Sequence, residues 1–83
     1  MVNSFTTYII FSKFKNKYYV GHTNNISRRL FEHNSGFNKS TKFGIPWELC
    51  FSKVFDSKSD AYRLEINIKN RGIKRFFSQF QSG

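Results

Sequence analysis

Five side chains in this sequence carry groups that could act together on a phosphate ester, namely Tyr8, Tyr19, Arg29, His33 and Glu65. Hydrolysis of a phosphodiester needs a group that activates water, a cation that neutralises the charge developing on the phosphate, and stabilisation of the leaving oxygen. A tyrosine or a histidine can transfer protons, an arginine contacts phosphate oxygens through two N–H groups, and a carboxylate can hold a hard cation such as Mg²⁺. Whether these groups meet depends on the elements that carry them.

Glu65 falls on the apolar side of a predicted helix. Ala61, Leu64 and Ile68 follow the i, i+3, i+7 spacing of a buried stripe, and Glu65 is at i+4 on the same stripe. A carboxylate that faces a core is costly unless it is paired or bound to a cation. Glu65 therefore either bends outward to solvent at the edge of the stripe or has a charged partner, and the spacing leaves both open.

An earlier helix places a base and a cation on one side. Ile26 and Leu30 mark its apolar side, and Arg29 and His33 fall on that side one turn apart. A histidine on such a face is usually a packed, hydrogen-bonded side chain, so a structural and a functional interpretation both remain.

The two tyrosines lie on predicted strands. Tyr8 alternates with Ile10, and Tyr19 alternates with Gly21, so both rings could simply be core aromatics. Gly21 either lets a backbone or a phosphate approach closely or marks the turn into the helix.

The predicted elements follow the order β-β-α-β-α-α, which implies an α+β fold with a small three-stranded antiparallel sheet flanked by helices. Apolar alternation predicts strands, helical spacing with capping residues predicts helices, and a short polar loop predicts a hairpin between the first two strands. The predicted strands are Thr6–Ser12, Tyr18–His22 and Trp47–Phe55. The first predicted helix is Ile26–Asn34, and the second begins with the Ser57–Asp60 capping box and runs to about Asn70. The last predicted helix is Ile73–Phe80, and it is expected to pack its Phe residues onto the sheet.

Length and composition favour one domain, 1–83, whose small core needs dense packing, a bound ion or a partner. Eleven Phe, four Tyr and one Trp supply packing material. The single cysteine, Cys50, excludes an internal disulfide framework and a Cys-based zinc site, and it fits a cytoplasmic location. The longest apolar run, Tyr8–Phe11, predicts neither a membrane span nor a signal peptide.

The charge is strongly basic, with 14 Lys and Arg against 5 Asp and Glu and a formal net charge of +9. Such an excess attracts polyanions, of which nucleic acid is the commonest in a cell. An AT-rich genome also enriches Lys, Asn, Phe and Ile, so composition alone leaves nucleic-acid binding open.

Two tripeptides and three later residues follow the spacing of a known family, the GIY-YIG endonuclease superfamily. Its Gly-Ile-Tyr strand corresponds to Thr6-Thr7-Tyr8, and its Tyr-Ile-Gly strand corresponds to Tyr19-Val20-Gly21, eleven residues later. The family's catalytic arginine, eight positions after the glycine, matches Arg29, and its histidine four residues further matches His33.

Two later segments extend this resemblance from about Thr6 to Phe76. Pro46-Trp47-Glu48-Leu49 is similar to a Pro-x-x-Leu of the small bacterial members, and Ala61–Lys69 is similar to their helix with a metal-binding Glu followed by Ile-Lys. The chain most resembles compact stand-alone members related to the N-terminal nuclease module of the nucleotide-excision-repair protein UvrC.

The resemblance implies a structure-selective or weakly selective DNA endonuclease in DNA repair or processing, with one Mg²⁺ or Mn²⁺ on Glu65. Tyr19 is expected near the attacking water, Tyr8 supports the site through a hydrogen bond, and Arg29 stabilises the phosphate charge. His33 either assists proton transfer or holds the phosphate. RNA stays open as a substrate, as does a homodimer or a separate specificity subunit. Contacts to the nucleic acid are expected from Gly21, His22, Arg28, Lys39, Lys42 and Lys69.

Three departures from the family pattern stand out. Thr6 and Thr7 replace the leading Gly and Ile, and His22 stands where repair-type members often carry a lysine. Many members also have an Asn shortly after the metal-binding helix, and Asn67 and Asn70 lie too early to match it.

Two other functions compete with a nuclease. One is a nucleic-acid-binding module without catalysis, which needs the basic face but not Glu65. The other is a partner-binding domain that docks through exposed aromatics near Phe76–Phe80.

Overall fold

A computed structural model describes residues 4–81, in which a three-stranded sheet lies between helices. The central strand pairs antiparallel with both others, in the order β2-β1-β3. The elements are β1 (Phe5–Ser12), β2 (Lys17–Thr23), α1 (Ile26–Ser35), a short 3-10 turn (Lys42–Gly44), β3 (Trp47–Phe55), α2 (Lys58–Arg71) and α3 (Ile73–Gln81). The predicted fold class and element order are confirmed.

The helix ends follow from local chemistry. The Asn25 side chain accepts a hydrogen bond from the Arg28 N–H at the start of α1, and Ser57 accepts one from the Asp60 N–H at the start of α2. Gly36 ends α1 with a φ of 85°, a left-handed conformation that glycine adopts without a steric cost.

The face of the sheet toward α2 and α3 buries mainly hydrocarbon and aromatic side chains, together with Thr7, whose Oγ1 donates to the Ala61 carbonyl oxygen of α2. Ile9 and Val20 from the sheet meet Ile68 of α2 and Phe76 of α3, and we refer to these four residues as the α2-side cluster. The predicted packing of the last helix onto the sheet is thereby confirmed for Phe76.

The opposite face, toward α1, buries a mixture of apolar and polar side chains. Tyr8, Ile10 and Trp47 form its centre, and Ile26 and Leu30 of α1 pack against them. We refer to Tyr8, Ile10 and Trp47 as the α1-side cluster. Residues alternate between the two faces along a strand, which is why Tyr8 and Ile9 lie on opposite sides.

The expected docking surface of exposed aromatics on α3 is wrong for the two residues that can be described. Phe76 is 6% exposed and stacks edge-on against Phe51, and Phe77 is half-buried beside it. These rings pack into the core because the face of the sheet that they cover is apolar. The Phe80 side chain lies outside the described residues. Within residues 4–81 no helix has the length and apolar character needed to cross a bilayer.

Candidate active site

Tyr8 and Gly21 are cross-strand partners, and the tyrosine ring lies across the glycine. A Cβ at Gly21 would be only 2.8 Å from Tyr8 Oη and 3.0 Å from Cζ. The missing side chain therefore makes room for the Tyr8 hydroxyl. This contact gives Gly21 a role that differs from both expected ones, the approach of a phosphate or backbone and the turn into α1.

The Tyr8 hydroxyl belongs to a chain of buried hydrogen bonds. Tyr8 Oη is 2.8 Å from His33 Nε2, and His33 Nδ1 is 2.8 Å from Thr41 Oγ1. Interaction with the nearby Tyr8 hydroxyl is the largest cause of the raised pKa of the Arg29 guanidinium. The hydrogen-bonded chain therefore runs from Tyr8 through His33 to Thr41, and Arg29 lies at its outer end.

The proton positions along this chain follow from its two ends. Burial, together with the nearby Arg29 charge, lowers the pKa of His33 below its ordinary value, so the imidazole is neutral near pH 7. Thr41 Oγ1 donates to the Asn38 carbonyl oxygen, so it accepts from His33 Nδ1–H. His33 Nε2 then accepts the Tyr8 O–H, and the lone pairs of Tyr8 Oη face the nearby Arg29 charge.

His33 has no exposed surface, and both of its ring nitrogens have partners inside the protein. Direct contact with a phosphate, one of its two expected roles, is therefore not available to it in this arrangement. Burial also raises the pKa of Tyr8 above 10.0, an effect that the Arg29 guanidinium opposes, and Tyr8 therefore stays a neutral hydroxyl.

Arg29 forms the outer end of the chain. Its side chain is 32% exposed, and Nη1 donates to Glu32 Oε1 at 3.2 Å while the guanidinium also reaches Tyr8. The Glu32 carboxylate holds one edge of the planar group, which limits the orientations of the guanidinium before any ligand arrives.

Tyr19 occupies the rim of the α1-side cluster. Its ring meets His33 edge-on with a centroid distance of 5.1 Å and Trp47 with 6.4 Å, and it is half-buried. Its neighbour across the sheet is Ile10. Tyr19 is thus the more accessible of the two expected tyrosines.

Glu65 points into the protein and has charged partners. It is 7% exposed, and its Oε1 accepts from His22 Nδ1 at 2.6 Å while its Oε2 accepts from Lys69 Nζ at 2.7 Å. The pairing with Glu65 raises the pKa of Lys69. Of the two possibilities left by the sequence, a carboxylate bent out to solvent is thereby ruled out, and a paired carboxylate is found.

The Glu65 carboxylate is a suitable ligand for a Mg²⁺ or Mn²⁺ ion that keeps most of its waters. Such an ion needs only one or two carboxylates, together with oxygens of a substrate phosphate. Within residues 4–81, no group of three His, Cys, Asp or Glu side chains suits a metal, so a fully protein-bound ion is not supported there. Lys69 is half-exposed on a flexible stem, so it can leave Oε2 to a cation and turn to a phosphate.

A groove of about 300 Å³ is lined by Arg29 and by His22, the hydrogen-bond partner of Glu65. It runs past the end of β2, with α1 on one side and the start of α2 on the other. The charges of Arg29 and Glu65 act in opposite directions on the pKa of Tyr8, which Arg29 lowers and Glu65 raises. The lining includes His22, Asn24, Arg28, Arg29, Glu32 and Lys58.

The residues expected to contact nucleic acid are only partly brought together. His22 and Arg28 line the groove, and Arg28 is also paired with Glu32 at 3.8 Å. Lys39 and Lys42 are exposed in the segment between α1 and β3 and do not line it.

Thr41 and Lys58 are parts of the site that the sequence did not indicate. Thr41 is fully buried, and its carbonyl accepts from Trp47 Nε1, so it joins the α1-side cluster to His33. Its position in a polar, aperiodic segment carries no signal of burial. Lys58 opens α2 directly after the Ser57 cap, which was visible in the sequence, but its place in the groove depends on tertiary packing.

Comparisons with known proteins identify the family of this chain. The family model of the GIY-YIG catalytic domain matches residues 4–76. A UPF0213 protein from Halobacterium salinarum is 45% identical over 53 residues, which are 63% of this chain and 69% of that protein. The UPF0213 protein YsiG from Lactococcus lactis is 36% identical over 75 residues, which are 89% of this chain and 71% of that protein.

A solved structure shares the fold. The solution NMR structure of a UPF0213 protein from Bacillus halodurans superposes with a TM-score of 0.57 at 31% identity, covering 95% of this chain and 83% of that one. The chain spans about two thirds of the length of the curated relatives it matches, down to 59% for a Streptococcus pyogenes protein. None of these names states an activity. With the family match over residues 4–76 and this shared fold, the chain belongs to the GIY-YIG catalytic-domain family, a superfamily of nucleases.

Proposed function

We propose that this protein is a metal-dependent DNA endonuclease that hydrolyses phosphodiester bonds. The observation that carries the proposal is the buried carboxylate of Glu65, which is hydrogen-bonded to His22 of the same groove that the Arg29 guanidinium lines. A phosphate in the groove would have a cation site and a bidentate donor within reach, which is what phosphoryl transfer requires.

Arg29 binds the non-bridging phosphate oxygens and stabilises the charge that grows on them. Tyr8 and His33 hold it in place, since a guanidinium that is already oriented loses little freedom when the transition state forms. Tyr8 therefore keeps the supporting role expected from the sequence, and His33 acts as its buried partner.

Tyr19 positions the attacking water at the rim of the site. It is the tyrosine with an accessible edge, whereas Tyr8 is almost fully enclosed. Glu65 would hold one Mg²⁺ or Mn²⁺ in place of its contact with Lys69, and such an ion would supply polarisation of the phosphate and stabilisation of the leaving oxygen. Lys69 and His22 then lie where they can contact the strand.

The substrate is DNA, recognised through its backbone. The net charge of +9 and the basic groove residues bind phosphates without reading bases, and 83 residues offer little surface for sequence readout. Structure-selective cleavage in the cytoplasm, in DNA repair or processing as for the nuclease module of UvrC, follows as part of the proposal. A homodimer or a second subunit would supply any further specificity.

A binding module without catalysis is the second candidate, and one observation favours it. Lys69 and His22 already satisfy both oxygens of Glu65, so the carboxylate has partners without a metal. In a module of this kind the basic groove would hold DNA and no bond would break.

A cleavage assay distinguishes the two candidate functions. It uses labelled single-stranded, nicked, flapped and branched DNA with Mg²⁺, Mn²⁺ or EDTA. The nuclease predicts metal-dependent products from the wild type and none from Glu65→Ala. The matched control is Glu48→Ala, an exposed carboxylate on β3, which should cut normally. Binding of every substrate without products in either metal would favour the second candidate.

A further inference from the structure

A shallow recess opens on the surface beside Glu65, at the start of α2. His22, Lys58, Ser59 and Tyr62 line it, and its volume is about 540 Å³. The Tyr62 residue is 51% exposed, so one side of its ring is available to a ligand. Neither the hydrophobic core nor the proposed hydrolysis requires an aromatic side chain at this position.

Tyr62 lies close to the carboxylate. It precedes Glu65 by three residues on α2, which puts the two side chains on neighbouring positions of one helix face. Its ring also meets the His22 ring edge-on, with a centroid distance of 5.5 Å and an angle of 70°. Because His22 donates to Glu65 at 2.6 Å, a single side chain links the exposed ring to the proposed metal ligand.

Exposed aromatics are common singly, and this protein has others, such as Phe14 in the turn between β1 and β2. Tyr62 differs because its edge is fixed against His22 and because a cation, Lys58, lies one helical turn before it in the same recess. A fixed flat ring beside a cation suits a nucleotide, whose base stacks on the ring while its phosphate meets the ammonium group.

We propose that Tyr62 is a stacking platform for an unpaired DNA base next to the scissile phosphate, with Lys58 holding the adjoining phosphate. This inference rests on the proposed function and names its substrate class. A base can stack on Tyr62 only when it has left the double helix, so the protein selects DNA that is single-stranded, flapped or gapped at the cut. Intact duplex lacks such a base and binds through phosphates alone.

The test uses DNA that carries 2-aminopurine, whose fluorescence falls when it stacks on an aromatic ring. Full-length protein in EDTA is titrated into flapped DNA with the probe at one position at a time, and into fully paired DNA of the same sequence. We expect quenching at one unpaired position near the junction and little in the duplex. Tyr62→Phe should keep this quenching, whereas Tyr62→Leu and Tyr62→Ala should abolish it and weaken flap binding about tenfold.

Phe14→Ala is the matched control, because Phe14 is also exposed and also lies near a lysine, Lys15, but at the opposite end of β2. It should leave quenching and affinity unchanged. Equal quenching by the wild type and Tyr62→Ala would overturn the inference, as would equal loss in Phe14→Ala. Because no metal is present, the assay is independent of cleavage: quenching that depends on Tyr62 supports the platform even if the protein cuts no DNA.

Discussion

The two faces of the sheet are built from different chemistry although they share the same three strands. The α2-side cluster consists of Ile9, Val20, Ile68 and Phe76, and its contacts are apolar. The α1-side cluster continues from Tyr8 into a hydrogen-bonded chain through His33. Among the described residues, no buried side-chain nitrogen or oxygen lacks a hydrogen-bond partner.

We infer from this difference that the α2-side cluster contributes mainly to stability, whereas the α1-side cluster and its hydrogen bonds orient the polar side chains of the site. Apolar burial is favourable but non-directional, so the α2-side cluster holds the fold together without fixing any one polar atom. A satisfied buried hydrogen-bond chain specifies the position of each member, and it is costly to interrupt. Substitutions on the two faces should therefore fail in different ways.

Ile68→Ala, in the α2-side cluster, should lower the free energy of unfolding by about 2–5 kcal/mol because it leaves a cavity in a fully buried position. Urea unfolding measures this loss. Activity per folded molecule should stay at the wild-type level. Val54→Ala is the control at an exposed apolar position, and a rate loss in folded Ile68→Ala would show that the faces are not separate.

Arg29→Ala should reduce kcat by about 10²–10³-fold, the usual cost of removing a donor that stabilises transition-state charge. Its stability should change little because the side chain is one-third exposed. Single-turnover kinetics on the best DNA substrate measures the effect. Arg63→Ala, at an exposed arginine on α2, is the control, and equal losses in both variants would contradict a specific role for Arg29.

Tyr8→Phe should reduce kcat by about 10–100-fold with the packing of the ring retained, because it removes only the hydroxyl between Arg29 and His33. Unfolding should become easier by about 1–3 kcal/mol, since His33 Nε2 is left buried without a donor. Tyr18→Phe, at a more exposed tyrosine on β2, should match the wild type in both measurements. A wild-type rate for Tyr8→Phe would show that Arg29 does not depend on Tyr8.

The smallest expected effect is a pH dependence of stability carried by His33. Its pKa is lowered in the folded state, so the unfolded chain takes up a proton near pH 6.5 that the folded chain does not. The contribution of His33 to the free energy of unfolding is fully present above pH 6.5, and it is lost as the pH falls from 6.5 toward the pKa of His33 in the folded state. Urea unfolding between about pH 7 and pH 5.5 should show a shallower slope for His33→Gln than for the wild type. The same dependence of stability on pH in His33→Gln and in the wild type would mean that His33 is not buried in its neutral form.

The elements that position the site were predictable because their signals are local. The third strand, Trp47–Phe55, and the Ser57 cap of α2 match the sequence prediction. Glu65 on an apolar stripe also pointed correctly to a paired carboxylate as one of two possibilities. Its i, i+4 spacing to Lys69 is a signal for the ion pair that the structure contains, but the sequence prediction assigned Lys69 only to contact with nucleic acid.

The rest of the site depends on contacts between distant residues. Thr41 meets His33 through an irregular segment with no periodicity, so its burial has no local signature. Gly21 accommodates Tyr8, its partner across the strand pair, and this purpose cannot be separated from a turn or a phosphate contact without the register. The groove likewise exists only once α1 and α2 are packed on their faces.

The central claim is that one buried carboxylate makes the groove a metal-dependent nuclease site. The most direct measurement is the single-turnover cleavage rate against Mg²⁺ concentration for the wild type, Glu65→Gln and the exposed control Glu48→Gln. A saturating Mg²⁺ dependence in the wild type and in Glu48→Gln, with a rate on the order of 10³-fold lower in Glu65→Gln, is the predicted result. The same rate and the same Mg²⁺ dependence in Glu65→Gln would contradict the account.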